Sequence, residues 1–256
     1  MESLAQEIAK SIDETPLQQE PCDHVQLSGL FPEDVFKGML DHLPEPRFYV
    51  DVKVARGMRP DGRSARTRIL MLPPIIAGLP REQREFWSDV VGALRSPLVA
   101  TAFQRKFADT LSARFGCPAT EVRMYPYIML MRDLAGYRIG VHNDSRSKVI
   151  TTQFYLPSDD ERAYLGTSFF ERDEASNDTL VKTIPFVRNS GYAFPVADNS
   201  WHGVARLAEH EPPRNSLMLI YYATPHLAKR MGLALKDGGQ AIRARSLAIA
   251  RRIWQT

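Results

Sequence analysis

Cysteine is scarce. The 256-residue chain has two, Cys22 and Cys117, too few for the disulfide framework that holds small secreted domains together. Long apolar runs are missing too: no stretch approaches the ~18–20 residues that a membrane-spanning helix needs. The N-terminus, Met1-Glu2-Ser3-Leu4-Ala5-Gln6-Glu7, has neither the basic start nor the apolar core of a signal peptide. Internal repeats and low-complexity tracts are absent, which sets aside repeat architectures. These absences point to a reduced, cytoplasmic protein with no membrane span.

What is present is ordinary for a globular chain: 44% hydrophobic and 25% charged residues. The length suits one large domain, or a core with an appended helical layer. The net charge of +3 is unevenly placed, with seven Lys or Arg and one acid, Asp237, from Lys229 onward. A solvated helix face accounts for that run, with nucleic acid or anionic lipid as the alternative contact. Arg56, Arg59, Arg63, Arg66 and Arg68 crowd around Pro60-Asp61-Gly62. They read as a solvated loop that can also grip an acidic substrate group.

Periodicity divides the chain. Residues 1–13 form an amphipathic helix with Leu4, Ile8 and Ile12 on one stripe, and 15–23 form a linker. A helix starts at Pro32 and stops before Pro44 and Pro46, and 47–54 read as a strand. Residues 80–115 are helical. Phe86, Val90, Val91 and Leu94 make one apolar face; Val99, Phe103, Phe107, Leu111 and Phe115 make another, with Gly116 as its cap. Beyond Cys117-Pro118, short strands are expected at 121–131, 137–141, 148–156, 164–171, 180–187, 191–195, 202–207 and 216–223. The expectation is a mainly β chain with flanking helices: a double-stranded β-helix, or jelly roll, with an N-terminal helical layer. The divisions fall at 1–118 (layer), 119–226 (core) and 227–256 (basic C-terminal helix).

The chemistry-bearing stretch is Tyr137-Arg138-Ile139-Gly140-Val141-His142-Asn143-Asp144. On a strand, His142 and Asp144 point to one face, and His202 on a neighbouring strand supplies a third ligand. Two imidazoles and one carboxylate with open positions opposite form the non-haem Fe(II) arrangement. Arg214 follows His202 by twelve residues. If 2-oxoglutarate chelates the iron, a guanidinium is needed to hold its distal carboxylate. Ser216 shares the inward face with Arg214 and adds a hydroxyl. Trp201 reads as a packing residue that limits water at the site. His24, His42, His210 and His226 receive no role.

On these residues, 122–222 resembles the Fe(II)/2-oxoglutarate-dependent oxygenases, in their prolyl-hydroxylase-like branch. The matching pieces are Gly136-Tyr137, His142-Asn143-Asp144, Tyr155-Leu156, Gly166-Thr167, Gly191-Tyr192-Ala193-Phe194, His202 and Arg214-x-Ser216. The resemblance implies His142, Asp144 and His202 as Fe(II) ligands and Arg214 as the 2-oxoglutarate anchor, with O2 as oxidant. Tyr155 and Thr151, in phase with Gln153, match positions that face the co-substrate; Tyr127 is a further candidate. There are departures. Nucleic-acid demethylases carry a second Arg where this chain has Ile220, which disfavours nucleic acid. Asp144 is kept, which favours hydroxylation or desaturation over halogenation. The implied activity is hydroxylation of an unactivated C–H bond of a small-molecule or amino-acid/peptide-type substrate, with release of succinate and CO2. An anionic substrate suits the arginine loop, and a homo-oligomer is left open. The alternatives are a cupin-like metal protein without oxidation, and an iron oxidase of the same fold that uses no 2-oxoglutarate.

Overall fold

The computed structural model describes residues 3–52, 62 and 64–224. Arg56, Arg59, Arg63, His226 and the basic helix expected at 227–256 lie outside them. Among the described residues, eleven strands make two antiparallel sheets. Those of the larger sheet are β1 (Val25–Ser28), β2 (Val50–Asp51), β3 (Arg66–Leu70), β4 (Tyr125–Asp133), β6 (Lys148–Tyr155), β9 (Ser190–Pro195) and β11 (Arg214–Tyr222). They run in the order β1-β9-β6-β11-β4-β3-β2. The smaller sheet is β5 (Ile139–His142), β10 (Trp201–Val204), β7 (Thr167–Arg172) and β8 (Asp178–Ile184), in the order β5-β10-β7-β8. This is the jelly roll expected from the strand spacing. The N-terminal segment also adds three strands to the larger sheet: β2, within the strand expected at 47–54, and β1 and β3, which were not expected.

Alternation along β6 sorts the two faces. Ile150 and Phe154 join the helices in the main core, while Thr151, Gln153 and Tyr155 are buried toward the smaller sheet. Helices α1 (Leu4–Glu14), α2 (Glu33–Asp41), α3 (Pro73–Ile76), α4 (Arg81–Leu94) and α5 (Pro97–Lys106) bury residues in this core on the outer face. Ile8, Ile12, Leu94, Val99 and Phe103 are fully buried there, each contributing roughly 1.5–3 kcal/mol of apolar burial. Ser3 starts α1 with a capping box to Gln6. No helix among the described residues is long and apolar enough to cross a membrane, and both cysteines are free.

Three expectations are corrected. The helix with its stripe from Val99 to Phe115 is two helices: Phe107 leaves helical geometry (φ −111°, ψ 30°) between α5 and α6 (Ala108–Phe115). Both pieces keep their buried face because Phe103, Phe107 and Leu111 all still point inward. On α4 the fully buried aromatic is Trp87, which sequence reading passed over; Phe86 is only half-buried. Trp87 Nε1 donates to the His42 carbonyl at 2.8 Å, which satisfies its one polar atom inside the core. Finally, within the described part of the strand read over 47–54, only β2 is strand, preceded by a 3₁₀ turn at Pro46–Phe48; residues 53–54 lie outside the described residues.

Candidate metal and anion site

His142 ends β5 and His202 lies directly opposite on β10, their ring centroids 4.3 Å apart. One ligand atom from each of His142, Asp144 and His202 lies within 4.8 Å of the others. The route differs from the sequence argument. Asp144 is not on the strand with His142; β5 stops at His142. Asn143 makes the turn instead. Its Nδ2 donates to the carbonyls of Ala197 (2.6 Å) and Asp198 (2.9 Å), and its Oδ1 accepts from the Asp144 amide (2.8 Å) and the Ser200 hydroxyl (2.8 Å). Asn143 was not singled out, because a strand-alternation argument treats the middle residue as pointing away.

The three side chains are prepared for a cation. Each imidazole Nδ1 lies 3.0 Å from the carbonyl two residues earlier, Gly140 for His142 and Ser200 for His202. Donation from Nδ1–H fixes the tautomer and leaves each Nε2 lone pair free. Burial lowers the His202 pKa to about 4 and lowers that of His142 as well. Burial alone would raise the Asp144 carboxyl. The Lys148 ammonium and His202 outweigh it, helped by the Thr151 hydroxyl, and hold it at about 2. At neutral pH two neutral imidazoles and one carboxylate therefore face one point, with no proton to displace. The Asp144 oxygens are oriented by Lys148 Nζ (2.5 Å) and Thr151 Oγ1 (2.6 Å). Thr151, expected beside the co-substrate, thus lies next to the carboxylate.

Arg214 is fully buried at the opposite end of the interior. Its Nε donates to the Leu165 carbonyl (2.6 Å), Nη2 to Thr167 Oγ1 (3.1 Å) and Nη1 to Asp133 Oδ2 (2.9 Å). Its guanidinium carbon lies 5.0 Å from the Tyr155 ring centroid and 5.2 Å from that of Phe186. Tyr155 in turn donates to Thr167 Oγ1 at 2.9 Å. Ser216 is buried on the same face. Its hydroxyl oxygen accepts from Gln153 Nε2 (2.7 Å), and Gln153 Oε1 accepts from Tyr192 (2.8 Å). The Ser216 proton remains available to an anion.

Asp133 escaped the sequence reading, and Arg66 was read there only as one of five loop arginines. Asp133 faces Arg214 across the β4–β11 register. Arg66, counted with a solvated loop, is on β3 and clasps Asp133 through Nε (2.5 Å) and Nη2 (2.9 Å). Arg68 is also on β3.

Trp201 requires a further correction. As His202 points inward, its neighbour points outward. The Trp201 ring lies under Arg172, 3.7 Å from its guanidinium carbon, and borders an outer cavity of about 450 Å³ with Glu171, Asp198 and Asn199. The rings beside His202 are those of Phe194 (4.8 Å) and Phe169 (6.3 Å).

No protein-family model and no curated protein matches this sequence. Solved structures do resemble the fold. A prolyl hydroxylase from Trichoplax adhaerens, in complex with a hypoxia inducible factor oxygen degradation domain peptide fragment, superposes with a TM-score of 0.50. The match covers 86% of this chain and 89% of that one at 11% identity. A Pseudomonas putida prolyl-4-hydroxylase gives 0.48 at 11% identity, over 85% of this chain and 99% of that one. A 2OG-Fe(II) oxygenase family oxidoreductase from Burkholderia pseudomallei gives 0.44 at 15% identity, over 88% and 92%. At 11% identity the likeness is one of fold alone: the chain shares its jelly roll with the Trichoplax prolyl hydroxylase.

Proposed function

We propose that the chain is an oxygenase that binds Fe(II) through His142, Asp144 and His202 and consumes 2-oxoglutarate and O2. It hydroxylates an unactivated C–H bond of a small-molecule or amino-acid/peptide-type substrate, releasing succinate and CO2. The observation that carries this reading is the convergence of one ring nitrogen from each of His142 and His202 and one carboxylate oxygen of Asp144, all within 4.8 Å of one another. Iron with 2-oxoglutarate supplies the oxidising chemistry when bound.

The chain's own residues do the rest. The Gly140 and Ser200 carbonyls hold the two imidazoles in the tautomer that presents Nε2. Thr151 and Lys148 aim the carboxylate. Arg214 and the Ser216 hydroxyl hold the distal carboxylate of 2-oxoglutarate. Phe169, Phe194 and Tyr192, buried between the sheets, keep water from the interior.

The test is anaerobic titration of metal-free protein with Fe(II) and 2-oxoglutarate, following the visible charge-transfer band. The band is expected in the wild type and lost in Arg214→Ala. Asp144→Ala and His202→Ala should abolish succinate release. Full activity in either would overturn the ligand assignment. Fe(II) binding without a band would favour the cupin-like or 2-oxoglutarate-independent reading.

A further inference from the structure

The charge around Arg214 does not balance. Alone with Asp133 it would form a neutral buried pair and exert little pull on an anion. Asp133, however, is shared. Arg66 holds both of its oxygens, and Oδ2 also accepts from Arg214 Nη1. Asp133 and Arg214 are both fully buried, while the Arg66 side chain keeps 16% exposure. Two guanidiniums thus share one carboxylate.

Among the described residues, no second carboxylate pairs with either guanidinium. Burial alone would lower both guanidinium pKa values, but Asp133, which both contact, holds both groups charged. Burial raises Tyr137, Tyr155 and Tyr192, so these remain neutral. A net positive charge in a largely buried place is costly unless an anion joins it.

Two donors there are also unspent. Arg66 uses Nε and Nη2, and Nη1 has no acceptor among the described residues. The Tyr137 hydroxyl is buried with no hydrogen-bond partner, although its ring lies 4.1 Å from the Arg66 guanidinium carbon.

We propose that Arg66 and Tyr137 complete, with Arg214, a two-guanidinium seat for the distal carboxylate of 2-oxoglutarate. Asp133 acts as the strut that spaces the two arginines. This deepens the oxygenase reading and rests on it. It assigns a co-substrate role to β3, a strand outside the region whose motifs carry the family resemblance.

A purely structural clamp would make a different prediction. If Arg66 only fastens β3 to the sheet, its loss lowers stability and leaves affinity alone. Tyr137→Phe separates the two cases, since deleting an unpartnered buried hydroxyl leaves stability unchanged or improved. The experiment measures the 2-oxoglutarate Kd of the Fe(II)-loaded protein anaerobically, by charge-transfer titration, beside the Tm. Arg66→Gln should weaken binding at least 10-fold, with Arg66→Lys intermediate. Tyr137→Phe should weaken it about 3- to 10-fold with Tm unchanged or raised. Unchanged Kd in Arg66→Gln and Tyr137→Phe, beside a wild type that binds, would overturn the seat alone. A wild type that binds Fe(II) but not 2-oxoglutarate would overturn the oxygenase reading and the seat with it.

Discussion

Thr151 shows how much can depend on one hydroxyl. It sits on an inward position of β6 and spends its proton on Asp144 Oδ2 at 2.6 Å. A carboxylate that keeps one lone pair on such a donor is held in the rotamer a metal needs, and groups of this kind typically contribute 10- to 100-fold in metal affinity. Thr151→Val keeps the shape and removes the donor. We expect Fe(II) affinity to fall by about 10- to 100-fold, with Thr151→Ser close to wild type. Anaerobic competition against a chromogenic chelator measures both. Equal affinities would mean that Lys148 alone orients the carboxylate.

Among the elements, β7 is the one whose placement the anion end depends on. Gly166 precedes it, and a Cβ there would sit 1.9 Å from the Ile184 carbonyl oxygen of β8. That contact is with backbone and cannot yield without moving a strand. Thr167, the next residue, receives Arg214 and Tyr155 on its hydroxyl. Gly166→Ala is therefore expected to cost about 1–3 kcal/mol by overpacking and to weaken 2-oxoglutarate binding through displacement of Thr167. Urea unfolding and the charge-transfer titration read the two effects separately, and a variant with wild-type values in both would show that β8 yields freely.

The same elements show what was legible beforehand. The inward phase of Thr151, Gln153 and Tyr155 followed from alternation, which depends on nothing outside β6. The helical stripes were legible for the same reason. The Asp133–Arg214 pair was not, since it joins residues 81 apart through a register no local pattern records. Asp144 does group with His142 and His202, but a side-chain-pinned turn places it there, not strand alternation.

At the scale of the whole molecule, the helices and the larger sheet bury the main core, and the space between the sheets buries polar groups. Several of these are histidines held neutral. His24 is fully buried, stacks on Phe169 with centroids 5.1 Å apart, and has no partner at Nε2. Burial lowers its pKa, as it lowers those of His142 and His202. The sign follows from linkage. Below about pH 6.5 the unfolded chain takes up protons that the folded chain refuses, so the unfolded state gains as pH falls. Stability is complete above that value and is lost as pH drops toward each folded pKa. For His202, with a folded pKa of about 4, the loss across that window is at most about 3 kcal/mol. Metal-free protein should therefore show a urea midpoint that falls steadily from pH 7 to pH 5. Below pH 4, protonation of Asp144 adds to the loss, because its folded pKa of about 2 lies under the ordinary carboxylate value. His24→Gln cannot titrate and lies outside the ligand set, so it should flatten the slope between pH 7 and pH 5 while the contribution of His142 and His202 persists. An unchanged slope would mean that His24 accepts a proton in the folded state, and that the interior beside Phe169 tolerates charge.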